Sequence, residues 1–340
     1  MPARKTSSSG GFARNVAPLA PLALALVMTA VLPSGRQNIT QADLGTETEA
    51  AVCPDDITDF QDCHSRFPTG CSAKAGYDPY LNLLKNQLTP PPAASFKPPQ
   101  VFDKLEQFES LDQNMPQGLT SRNHAQFRDD LAKLGEGKLF AAVGYLYYAQ
   151  VTGAESSNCG LDSKGDPEGS NVDFHIGIGF DPGLAGKVAG SSAKPTGTLM
   201  KDLQQNSIIV EMTPQYRFSF EEGIWTIENL RKALGKPVRV TGQLIVDSEH
   251  NLPGQNCSLA STAKEKQSCW RASTWELHPV VQFQVCKSAS CDASSSTSDW
   301  ANLGQTGTGG ISTAASGSAS GNPSPNKKKK RASSGSNTGD

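Results

Sequence analysis

The feature that most constrains this chain is a change of period at Lys138, where apolar residues stop recurring at helical spacing and begin to alternate. Five stretches follow. KLFAAVGYLYYAQV (138–151) is apolar on both faces, as a strand buried on both sides would be. In NVDFHIGIGF, Phe174, Ile176, Ile178 and Phe180 share one face, and Asp173 and His175 the other. SIIVEMTP sets Ile208, Val210 and Met212 opposite Glu211. VRVTGQLIVD directs Val238, Val240, Leu244 and Val246 one way, leaving Gln243 on the outer side, where a lysine is expected to be tolerated. TWELHPVVQFQV places Trp275, Leu277, Val281, Phe283 and Val285 together, with Glu276 and His278 opposite. Between the third and fourth stretches, WTIENLRKALG switches to a helix. Thr226 is its cap, Ile227, Leu230 and Leu234 form its face, and Gly235 stops it ahead of Pro237.

Five strands with one helix between the third and fourth is the element order of an OB-like barrel, a five-stranded Greek-key arrangement. The expected fold class is therefore mainly β, with an α-helical extension in front. In that extension, Asp78 and Pro79 form a cap and first turn for Tyr80, Leu83, Leu84 and Leu88, ending at Thr89. Leu119 to Leu134 reads as a second helix, with Phe127, Leu131 and Leu134 on one face and Gly135 as its stop. The expected boundaries are an export signal or N-terminal anchor (1–35), a helical cysteine-containing extension (36–136), the barrel (137–291) and a disordered Gly/Ser-rich tail (292–340) with a basic cluster, Lys327 to Arg331.

Arg4, Lys5 and Arg14 precede an apolar run from Val16 to Leu32, the order of an export signal. Membrane anchoring through that run is the alternative, because no clean small-x-small cleavage site follows it. The expected compartment is periplasmic or extracellular. The cysteines, Cys53, Cys63, Cys71, Cys159, Cys257, Cys269, Cys286 and Cys291, form an even set, which in an exported chain favours disulfides. A zinc ribbon would need a second knuckle matching Cys286 and Cys291, and none exists. Cys257 and Cys269 flank a polar insertion and are expected to bridge each other. Asn38 and Asn256 start glycosylation sequons, which matter only in a eukaryotic secretory pathway. Residues 15–303 carry 23 basic and 32 acidic groups, a surface that repels phosphate backbones. Nucleic acid is therefore a disfavoured partner, and no phosphate-cradling glycine loop or nucleophile elbow occurs in a supporting context.

The stretches ESSNC, DFHIGIG, IIVEMTPQYR, VRVTGQLIVDSEH and RASTWELHP, in this order from Glu155 to Pro279, resemble a family of uncharacterised exported bacterial proteins with an OB-like barrel. The resemblance covers about the central third of the chain. It implies the fold and the export, and it brings no catalytic residue with it.

Two polar groups stand out as candidate sites. His175, Glu211, Glu276 and His278 fall on outward positions of neighbouring strands, and two imidazoles with two carboxylates are a set that suits a divalent metal. Asp247, Glu249 and His250 follow the fourth strand, in a loop that in OB-like barrels borders the binding cleft. Tyr145, Tyr147, Tyr148 and Trp270 could offer stacking platforms. Alternation alone explains the first group, and a convex barrel exterior splays parallel side chains, so no cofactor and no stoichiometric metal are expected. The function this points to is an exported, non-catalytic module that binds a protein, a glycan or an envelope component through its second and third strands and its loops. A metal-dependent hydrolase using the His/Glu face is the alternative, and single-stranded nucleic-acid binding a distant third.

Overall fold

A computed structural model describes residues 51–305, apart from 73–76, 88–91, 93–99, 165, 167 and 222. The expected export segment, the Asn38 sequon, Leu88 and Thr89, and the basic cluster at Lys327 to Arg331 lie outside the described residues. In chain order the elements are α1 (Phe60–Arg66), α2 (Pro79–Lys85), β1 (Val101–Phe102), α3 (Leu105–Asp112), α4 (Arg128–Leu134), β2 (Leu139–Val151) and β3 (Phe174–Gly179). They continue with α5 (Pro182–Gly186), α6 (Gly197–Gln205), β4 (Ser207–Met212), α7 (Pro214–Phe220), α8 (Ile227–Arg231), β5 (Pro237–Val246), α9 (Ala263–Ser268), β6 (Trp275–Cys286) and β7 (Trp300–Asn302).

The five expected strands close on themselves. β2 runs antiparallel to β3 and to β5, β3 antiparallel to β4, β4 parallel to β6, and β6 antiparallel to β5. The result is a closed five-stranded mixed barrel, consistent with the OB-like order read from the sequence. Closure is possible because β2 is long: Leu139 to Tyr145 pair with β5, while Tyr145 to Val151 pair with β3, with an irregularity between Leu146 and Tyr148 that bends the strand. Every residue assigned inward on the second to fifth stretches lies in one core cluster, except Phe180, which is half-buried against it.

The glycines of β3 explain how aromatic β2 fits beside it. A Cβ on Gly177 would come within 2.1 Å of the Tyr148 ring, and one on Gly179 within 1.8 Å of the Tyr147 ring. Both tyrosines are buried, and Tyr147 exchanges hydrogen bonds with the Asp181 backbone. They pack the barrel wall and are not stacking platforms, while Tyr145 is half-buried.

Several elements were not legible. β1 joins β2 in parallel, α6 precedes β4, and α7, capped by Thr213 with Pro214 in its first turn, comes before the expected helix. That helix, α8, begins as read, with the Thr226 side chain accepting from the Asn229 N–H, but ends sooner. The second extension helix also starts later than expected, because the Asn123 side chain accepts from the Thr120 N–H and donates to the Gly118 carbonyl, holding that stretch as a turn. The expected tail boundary needs correction: β7 pairs with β6, Trp300 is buried and the Arg239 guanidinium lies 5.2 Å from its ring, so the fold continues past 291. A large aromatic side chain supplied the burial that the surrounding Ser-rich composition hid.

The extension lies on the barrel. Leu81 and Leu84 of α2 pack on Ile245, and Gln243, expected to face solvent, is 2 % exposed and donates to the Leu84 carbonyl. A lysine there would be buried, so the expected tolerance at Gln243 is withdrawn. All eight cysteines pair, as Cys53–Cys71, Cys63–Cys159, Cys257–Cys269 and Cys286–Cys291. Cys63–Cys159 fastens the extension to the β2–β3 connection, and the Cys257–Cys269 bridge is the one expected. Four disulfides place the folded chain in an oxidising environment. Among the described residues, no helix is long and apolar enough to cross a membrane.

Candidate functional site: a buried ionic network

Strand alternation puts His175 on β3, Glu211 on β4 and Glu276 and His278 on β6, all pointing away from the apolar core, with His175 directly opposite Glu211 in register. That outer face is covered. Lys85 arrives from α2, Glu155 and Asn158 from the β2–β3 connection, and Asp247 and Arg271 from the two ends of the β5–β6 connection. Glu211, Glu276 and His278 are consequently at most 2 % exposed, and the expected convex, splayed exterior is instead an enclosed layer in which the side chains converge. The cover is also why the outer face of the second and third strands cannot serve as an open recognition surface.

The network is continuous. His175 Nε2 lies 2.8 Å from Glu211 Oε1 and 3.7 Å from Glu155 Oε1. His278 Nδ1 is 3.1 Å from Glu276 Oε1 and 3.4 Å from Glu211 Oε2, while its Nε2 is 3.5 Å from Asp173 Oδ2. Arg271, fully buried, donates to Glu276 Oε2 and to Asp247 Oδ2 at 2.6 Å each. Asp247 also holds His250 Nδ1 at 2.6 Å, and Lys85 spans Glu155 at 3.3 Å and Glu249 at 3.6 Å. The two candidate groups that the sequence presents separately are therefore one network, joined by Lys85 and Arg271.

Burial opposes every charge here, and neighbours decide the outcome. For Asp247, burial works against the carboxylate, but Lys85, Arg271 and His250 hold its pKa well below the ordinary range. Lys85 is likewise desolvated, yet Glu155, Asp247 and Glu249 push it well above its usual value. His175 is raised despite burial by Glu211 and Glu155, and His278 is raised to about 9 despite burial by Glu211, Glu276 and Asp173. Glu211 is lowered, since His175 and His278 outweigh its burial. Asp173 goes the other way: burial, reinforced by Glu155, pushes it to about 7.

Solvent reaches one lip of the network, where the side chains of Glu155 and His175 are 16 % and 17 % exposed and those of Glu249 and His250 32 % each. Trp270 sits at this lip, half-buried, edge-on to His250 at 5.0 Å and 5.3 Å from the Arg271 guanidinium. Asn256, the second sequon, is fully buried and bonded to Thr274, so in the folded protein it cannot accept a glycan. Thiol chemistry is excluded because every cysteine is bridged.

A surface cleft lies elsewhere. Asp103, Lys104, Leu105, Glu106, Phe180, Asp181 and Asn206 line a hollow of about 340 Å³. It adjoins a second hollow of about 180 Å³ that shares Asp103 and Phe180 and extends to Tyr145 and Asp292. Among the residues lining this groove the sequence marked Tyr145 as a binding candidate and Cys291 as a disulfide cysteine, and it missed the rest because the groove depends on the β1–α3 turn meeting the end of β3. Comparisons with protein-family models, with curated proteins and with solved structures gave no match.

Proposed function

We propose that this protein is an exported, non-catalytic binding module of OB-like architecture that recognises a cationic segment of a protein partner. The observation that carries the reading is the groove at Asp103 and Phe180. Its exposed carboxylates, Asp103, Glu106, Asp181 and Asp292, outnumber its one cation, Lys104, and the half-buried Phe180 ring is placed to meet an apolar or guanidinium side chain. The surplus of acidic groups over residues 15–303 adds long-range attraction for the same kind of partner. It also disfavours a nucleic-acid strand, which needs a positive groove. The covered face of the second and third strands no longer contributes to this reading. Export to the periplasm or beyond rests on the N-terminal basic-then-apolar segment together with the disulfides.

The test is fluorescence anisotropy of labelled deca-lysine and deca-arginine peptides against the parent, an Asp103→Lys/Glu106→Lys variant and a remote Glu228→Lys variant. Saturable binding lost in the groove variant and kept in the remote one is expected. Equal weakening in both would mean unspecific charge attraction and would overturn the groove reading.

A further inference from the structure

We propose that Asp173, Glu211 and His278 form a three-ligand binding site for one divalent transition-metal ion, buried beneath the β2–β3 connection. One ligand atom from each of these three residues lies within 4.8 Å of the other two. Convergence of two carboxylates and an imidazole is the donor set that Zn²⁺ and Mn²⁺ accept.

The hydrogen bonding separates this site from an ordinary cluster of charges. Each of the three side chains has one polar atom fixed from outside: Asn158 Nδ2 donates to Asp173 Oδ1 at 3.2 Å, His175 Nε2 meets Glu211 Oε1 at 2.8 Å, and Glu276 Oε1 meets His278 Nδ1 at 3.1 Å. Glu276 is in turn held by Arg271 at 2.6 Å. The remaining atoms, Asp173 Oδ2, Glu211 Oε2 and His278 Nε2, are buried and make no hydrogen bond, although Glu211 Oε2 stands 3.4 Å from His278 Nδ1. A carboxylate on one imidazole nitrogen leaves the other facing the ion with its lone pair, the arrangement that orients metal-bound histidines.

The distances carry the same message. The tightest charge-assisted contacts of the network are at 2.6 Å, for both Arg271 bonds and for His250 to Asp247, while Lys85 stands 3.3 Å from Glu155 and 3.6 Å from Glu249. Asp173 Oδ2 and His278 Nε2 stand at 3.5 Å, long for a charge-assisted hydrogen bond. A tetrahedral ion with bonds of about 2.0–2.1 Å holds its ligand atoms about 3.3–3.4 Å apart, which is close to that spacing. All three ligands are buried, so the consequence of the site is to lock the β2–β3 connection to β4 and β6, and a water would complete the fourth position of a tetrahedral ion. The competing occupant is a proton on His278, balancing the same carboxylates without any ion.

The experiment uses the oxidised protein, dialysed against chelator and shown folded by circular dichroism, titrated calorimetrically with Zn²⁺ or Mn²⁺ alone. One ion per chain is expected, with a metal-dependent rise in Tm. X-ray absorption of the loaded protein should give nitrogen and oxygen ligands only, including one imidazole. Glu276→Gln, which leaves the three ligands in place, should weaken binding about 10–100-fold. His250→Ala, at the solvent lip, should leave it unchanged. No binding by the folded parent, two or more imidazoles on the ion, or loss of binding in His250→Ala would each overturn the proposal, the last by locating the ion at the surface histidine.

Discussion

Replacing Arg271 with methionine is the most direct test of what the ionic network contributes to stability. The guanidinium is fully buried and bridges two carboxylates that are themselves buried, Asp247 and Glu276, at 2.6 Å each. Methionine fills most of the volume, so the cavity contribution is small and the electrostatic loss dominates. Removing one partner of a buried ion pair typically costs about 3–5 kcal/mol, because the other charge is left desolvated. Two stranded carboxylates would raise that figure, but each keeps another partner: Asp247 keeps His250 and Lys85, and Glu276 keeps His278. The expected loss is therefore about 3–5 kcal/mol and not twice that, against total stabilities of about 5–15 kcal/mol for ordinary domains. Urea denaturation of oxidised protein should show a lower midpoint at unchanged m. Neutralising the stranded acids in Arg271→Met/Asp247→Asn/Glu276→Gln should recover most of the loss, and Arg271→Lys should fall between, since one ammonium cannot fork to both carboxylates. A loss below about 1 kcal/mol in the single variant, or no recovery in the triple, would refute the reasoning.

Two further outcomes follow from particular contacts. Gly179→Ala sets a methyl against the Tyr147 ring and should cost about 1–3 kcal/mol, whereas Gly153→Ala, in open space, should be silent; equal thermal stabilities would contradict the packing account of β3. For pH, Asp247 is held below its unfolded pKa of about 3.9, so its contribution is present above that value and is lost as pH falls through the folded one. Asp247→Asn should be less stable at pH 6 and lose less stability between pH 4 and pH 2, and parallel urea-midpoint curves for variant and parent would show that Asp247 is not the acid-sensitive group.

How much of this was legible follows from the range over which each signal acts. Alternation is local, so it assigned the inward side of every barrel strand after the first, and the strand-helix order was enough to anticipate how the ring closes. Short pieces without a period of their own escaped: β1 and β7 have too few residues to alternate, and they exist because an edge of the barrel was left to pair with. Within the site, outward positions on β3, β4 and β6 were readable from alternation, and Asp173, two residues before His175, shares that face.

The missing half of the site came from side chains whose positions depend on tertiary structure. Lys85 lies on a helix of the extension, 70 residues from Glu155, and nothing in its own surroundings marks it as a buried cation. Its helix is fastened there by apolar packing of Leu81 and Leu84 on Ile245, by the Gln243 hydrogen bond, and by the nearby Cys63–Cys159 bridge. The same docking turns an outward His/Glu face from a solvated surface into an enclosed layer, and that is the step that changes its chemistry. On an open strand, Asp173, Glu211 and His278 would be ordinary hydrated groups at alternating positions. Beneath the β2–β3 connection they lose water, gain fixed partners on one side, and keep three polar atoms without hydrogen bonds on the other. Sequence spacing can place residues on a shared face, but whether that face is wet or enclosed is decided by a segment folded onto it from elsewhere in the chain.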